Sequence, residues 1–303
     1  MASRRVAVVV LGGSGLVGSR FVELTGERFA LVAPSHAALD VLDDQAMTSF
    51  LREHRPEAVV NLTACADVDR AEGERGDTAG PVYRINAVSP GRLAGVCAEL
   101  GVYLLHVSTD YVFDGRKNSG PYLETDPPNP LSWYAASKLA GERGVLDSGA
   151  AASVVRIEMP YSSRPHHKLD FARLCVSRLR TGTEVVAVVD QRITPVFLDD
   201  AVEALARVVE QRLEGIVHVA GASWTTPFEF ARGVASALNL DASLVTQERF
   251  ERFATFRPAP RPQHPWLDVG KFEREVGAGV LRSVDESVHA WAAQVLGRAH
   301  TRA

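Results

Sequence analysis

The chain has 303 residues, 46% hydrophobic and 23% charged, which is the balance of an ordinary globular protein long enough for one or two domains. A net charge of −4 with no basic stripe argues against a nucleic-acid partner, and no stretch approaches the roughly 20 apolar residues that cross a bilayer. Cys65, Cys97 and Cys175 are isolated and odd in number. They offer neither a disulfide framework nor a metal-ligand spacing, so no metal is expected, and a reducing cytosol fits. Arg4-Arg5 before an apolar run resembles a signal peptide, but the run is short and ends in glycines. A cytoplasmic address is expected.

The first element is Arg5–Leu11, an apolar, β-branched run that reads as a strand buried on both faces of a parallel sheet. It ends at Gly12-Gly13-Ser14-Gly15-Leu16-Val17-Gly18, where Gly12, Gly15 and Gly18 fit a strand–turn–helix that cradles a dinucleotide. A tight turn, backbone approach to a pyrophosphate and close helix–strand packing each need a glycine. The helix that follows, with Leu16 and Val17 in its first turn, offers unpaired N–H groups to the phosphates.

Further apolar runs come at 29–33, 58–61, 103–107, 153–157 and 185–189, with helical spacing at 44–54, 90–100 and 133–146 between them. Alternation of this kind predicts a Rossmann-type, doubly wound parallel sheet over residues 1–157. Beyond residue 157 the regularity fades into proline-rich connections, which predicts a smaller, irregular C-terminal substrate lobe over 158–303. A segment near 185–212 is expected to return to the main sheet, with a helix at 199–210. His166-His167 reads as a surface loop, because neighbours at i and i+1 do not share a face.

Tyr134 and Lys138 lie four residues apart and therefore on one helix face. A phenol can give a proton to a carbonyl oxygen under hydride attack, and a lysine beside it favours the phenolate. Thr109, at the end of the strand through residue 107, sits where doubly wound sheets place their ligands. As a hydroxyl it can bind the same substrate oxygen or simply cap a turn.

With these residues in place the chain resembles the dTDP-4-dehydrorhamnose reductase family, a branch of the extended short-chain dehydrogenases/reductases. The similarity rests on Val-Ser-Thr-Asp-Tyr-Val-Phe-Asp-Gly (107–115), Pro-Tyr-x-Glu-x-Asp (121–126) and Tyr-Ala-Ala-Ser-Lys-Leu-Ala-Gly-Glu (134–142). It continues through Val60-Asn61, Val68-Asp69, Ile85-Asn86-Ala87, Asp190-Gln191 and Arg261-Pro262, and so covers nearly the whole chain.

The resemblance implies NADPH- or NADH-dependent reduction of a 4-keto group on a nucleotide-linked, dTDP-type 6-deoxysugar. Tyr134 is then the proton donor, Lys138 its tuner and nicotinamide-ribose ligand, and Thr109 the group on the keto oxygen, with Ser108 as the alternative hydroxyl. Ala64, Cys65 and Ala66 run along the cofactor, Asp40 and Val41 meet the adenine, and Val107 lies near the nicotinamide. Asp110 and Met159 face the sugar, with Pro160 and Tyr161 continuing that wall and Arg261 on the diphosphate. Met159 stands where the family has a tryptophan.

Ser35 and His36 follow the second strand where an acid would favour NADH, so NADPH is the expected cofactor. Asp40 is expected at the end of a further short strand. Two other functions share the fold: a catalytically idle regulatory subunit, and an epimerase or dehydratase with tightly held NAD. A homodimer is compatible with all three.

Overall fold

The computed structural model describes residues 4–300. Its centre is a six-stranded parallel sheet in the order β2-β1-β3-β4-β5-β7. The strands are β1 (Ala7–Leu11), β2 (Ala30–Val32), β3 (Ala58–Asn61), β4 (Tyr103–Thr109), β5 (Ala152–Ile157) and β7 (Gly215–Val219). Four of β1's five residues and all of β3 and β5 are buried, as expected for strands covered by helices on both faces. The flanking helices are α1 (Leu16–Thr25), α2 (Asp44–His54), α3 (Ser89–Leu100), α4 (Trp133–Leu146) and α6 (Leu198–Gln211). Chain order reverses between β1 and β3, so their carboxyl ends flank a crevice of the kind that holds a nucleotide.

The smaller lobe has its own core. Strands β6 (Val185–Val188) and β8 (Val245–Glu248) pair in parallel and pack with α5 (Phe171–Leu179), α7 (Pro227–Ala237) and α8 (Val284–His300). Tyr161, Phe197, Phe230 and Trp291 meet at its centre.

Three expectations need correction. The run at 185–189 joins the small sheet, and the segment returning to the main body is α6, tied to α1 by Arg20–Asp199 contacts of 2.6 Å. Strand β7 then extends the main sheet, an element the sequence did not announce. No strand forms at Asp40. Residues 35–43 satisfy their backbone in turns instead: Leu39 N–H donates to Ser35 O, and Leu42 N–H to the Asp40 carboxylate at 2.9 Å. Finally, Tyr161 lies in the lobe core at 1% exposure, so it does not line a sugar site.

Two close approaches position the site. Gly12 has φ +77°, and a Cβ there would lie 2.8 Å from Leu62 C. A Cβ on Gly141 of α4 would lie 2.1 Å from Asn86 O, which draws α4 onto a π-helical turn at Arg84–Val88. Such turns recur at functional sites.

Candidate active site

Helix α4 starts cleanly because the Ser132 hydroxyl accepts from Ala135 N–H. Its Tyr134, Lys138 and Glu142, spaced by four, face the body of the protein. Lys138 is 1% exposed and donates to Val107 O at 2.7 Å, with His106 Nε2 at 3.3 Å. Glu142 is also buried and takes both oxygens to Arg156 of β5, the nearest contact being 2.7 Å. A helix face that is polar yet buried marks a site more than a packing stripe.

Thr109 ends β4. Its Oγ1 donates to Asp110 Oδ1 at 2.8 Å and accepts from Tyr111 N–H at 3.2 Å, and the hydroxyl is near enough to the Tyr134 phenol to ease its ionisation. The hydroxyl and the carboxyl therefore form one bonded pair beside the phenol. Ser108 is buried without a partner and, by strand alternation, belongs to the other face. Of the two hydroxyls, Thr109 is the one that acts on the Tyr134 phenol.

Electrostatics set the resting protons. Burial, reinforced by Asp110, pushes the Tyr134 phenol above its ordinary range, and Lys138 makes no hydrogen bond to it. The phenol therefore holds its proton at rest, as the expected role of proton donor requires. Burial lifts Asp110 to about 7 and holds Glu158 well above the usual carboxylate range, with Asp110 adding to the latter. Glu158 accepts from Thr194 Oγ1 through Oε2, while its buried Oε1 has no partner. Met159 beside it has φ +41°, a left-handed conformation that is strained for a methionine.

The cofactor crevice has the shape a dinucleotide requires. A Cβ on Gly18 would lie 2.1 Å from Gly12 O, so α1 packs tightly under the turn. Gly15 caps α1 with no side-chain bond, which leaves the first N–H groups open to an anion. Asn86 holds the Cys65 backbone from both sides, accepting from its N–H at 2.8 Å and donating to its O at 3.1 Å. That fixes the 64–66 segment along the crevice. Ser35 and His36 are exposed just past β2. The residues present therefore fit NADPH.

Arg261 lies over the Tyr111 ring at 5.9 Å and pairs with Asp69 at 2.9 Å. Tyr111 in turn meets Tyr134 edge-on at 6.3 Å. The sequence did not single out His106, Glu142 or Glu158, nor Lys168, whose Nζ reaches Ala66 O at 3.3 Å. A lysine facing the crevice from a lobe loop leaves no local signature.

Residues 6–296 match the family described as the RmlD substrate binding domain. The chain belongs to that family. A dTDP-4-dehydrorhamnose reductase of Mycolicibacterium smegmatis is 32% identical over 96% of this chain and 86% of its own. A probable low-salt glycan biosynthesis reductase of Haloferax volcanii is 31% identical over 88% and 91%. The crystal structure of dTDP-4-dehydrorhamnose reductase from Bacillus anthracis in complex with NADP superposes with a TM-score of 0.87 at 25% identity, covering 96% of this chain and all of that one. Like the other members of the RmlD family named here, the chain is an oxidoreductase on a Rossmann-type sheet.

Proposed function

We propose that this chain reduces the 4-keto group of a dTDP-linked 6-deoxysugar with NADPH. The observation that carries the reading is the bonded Thr109–Asp110 pair with Tyr134 beside it and Lys138 buried behind, at the carboxyl end of β4 and facing the crevice. The glycine turn, the N-terminus of α1, residues 64–66 and Lys138 would hold the cofactor, and Ser35 and His36 would meet its 2′-phosphate. Bound there, NADPH supplies a hydride to the carbonyl carbon.

Tyr134 keeps its proton at rest and gives it to the oxygen as charge develops there, while Thr109 orients that oxygen. Arg261 takes the sugar's diphosphate, exchanging Asp69 for a better-matched bidentate anion.

Consumption of NADPH with a dTDP-4-keto-6-deoxysugar, and formation of the 4-hydroxyl product, tests the reaction. For the diphosphate contact, Arg261→Ala should raise KM for the nucleotide sugar by about tenfold or more while NADPH affinity holds. Unchanged kinetics would remove Arg261 from the site.

A further inference from the structure

Beneath the site a line of buried polar side chains runs from β3 through β4 to α4. Asn61 and His106 are register partners on adjacent strands, and Asn61, His106 and Lys138 are each 1% exposed or less. The Asn61 Oδ1 accepts from Thr63 Oγ1 at 2.6 Å and from Thr63 N–H at 3.1 Å. The other end of the amide, its NH2 group, is therefore the one that meets His106 Nδ1 at 3.2 Å. Nδ1 must be an acceptor there.

Burial, with Lys138 adding to it, drives the His106 pKa well below the ordinary imidazole range, so the ring is neutral and carries one proton. With Nδ1 accepting, that proton is on Nε2. It points at Lys138 Nζ, 3.3 Å away. An ammonium has only donors, so this N–H finds a lone pair only on the free amine.

We propose that His106 is a positioning residue for Lys138: Asn61 locks it as the Nε2–H tautomer, and that N–H favours the free amine of Lys138 over the ammonium. The other groups around Lys138 leave room for this. On its own helix lie Tyr134 and Glu142, from β5 comes Arg156, from the turn after β4 Asp110, and from the π-helical turn neutral Asn86. Glu142 favours the ammonium, but its carboxylate is shared with Arg156. Burial dominates and brings Lys138 down to about 8.

The catalytic consequence rests on the reductase reading. A lysine whose ammonium is disfavoured pulls Tyr134 less strongly toward phenolate, and reduction needs a phenol that still holds its proton. His106 thus extends to higher pH the range over which Tyr134 stays protonated.

The chain has four lysines, Lys117, Lys138, Lys168 and Lys271, so lysine labelled with 13C at Cε can be followed residue by residue in NMR titrations. Lys138 is assigned by its absence in Lys138→Arg. In the wild type it should titrate near 8. In His106→Phe, which keeps the volume and removes the donor, it should titrate about one pH unit higher, a tenfold gain in proton affinity. Asn61→Asp should reverse the tautomer, because a carboxylate accepts from Nδ1–H, and should raise Lys138 as well.

The 15N spectrum of labelled wild-type histidine reports the tautomer without any substitution, so it decides the question even if a variant fails to fold. An Nδ1–H tautomer in the wild type, or the same Lys138 titration in all folded variants, overturns the proposal. None of these readings needs substrate, so they stand or fall apart from the proposed reaction. With substrate, the alkaline limb of the His106→Phe rate profile should move to lower pH, which a purely structural role would not produce.

Discussion

Three side chains carry the proposed chemistry, and each is set by its immediate neighbours. Tyr134 lies beside Thr109 and meets Tyr111 edge-on, Thr109 bonds Asp110, and Lys138 is held by Val107 O and His106. Asp110 has a measurable cost. Its folded pKa of about 7 lies above its ordinary 3.8, so the stability it contributes is fully present below pH 3.8 and is lost as pH rises through about 7. Asp110→Asn should therefore melt higher than the wild type at pH 8, with the gap closing by pH 4. Thermal melts at pH 4, 6 and 8 check this, and a gap that widened toward pH 4 would mean that Asp110 rests ionised.

Helix α4 is the element on which the site is built, and the sequence revealed only part of its role. The four-residue spacing of Tyr134 and Lys138 was legible because helical periodicity is local. The same spacing extends to Glu142, yet its partner Arg156 lies on β5, and nothing near either residue names the other. The chain from Asn61 through His106 to Lys138 was hidden for the same reason: three elements distant in sequence supply one residue each. Spacing shows which charges are near Tyr134 but not how dry the site is, so the rise of its phenol was not legible.

The Glu142–Arg156 pair has both side chains nearly fully buried. Glu142→Ala should cost about 3–5 kcal/mol by leaving the guanidinium unpaired in the interior. Denaturant unfolding measures it. A loss below about 1 kcal/mol would show that water or Phe113, whose ring lies 5.0 Å from the guanidinium, replaces the carboxylate.

For the molecule as a whole, the main sheet and the separate lobe divide the work. Strand β1, the glycine turn and α1 were readable from the sequence because a buried parallel strand is a continuous apolar run and the turn is written in glycines. The lobe was readable only as irregular. Its β6–β8 pair joins residues about 60 apart, and Tyr161 belongs to its core instead of the sugar site. The segment at Asp40 forms turns because its backbone groups find local partners. The idle-subunit reading has no structural support in a site whose phenol, hydroxyl and lysine are all in place.

The most direct test follows NADPH oxidation by the wild type and by Tyr134→Phe with a dTDP-4-keto-6-deoxysugar, alongside NADPH binding by calorimetry. The wild type should form the 4-hydroxyl sugar with one NADPH consumed per product. Tyr134→Phe should bind NADPH equally well and lose on the order of 10²–10⁴-fold in rate. A wild type that binds NADPH but reduces no such sugar, or a Tyr134→Phe enzyme with undiminished rate, would contradict the account.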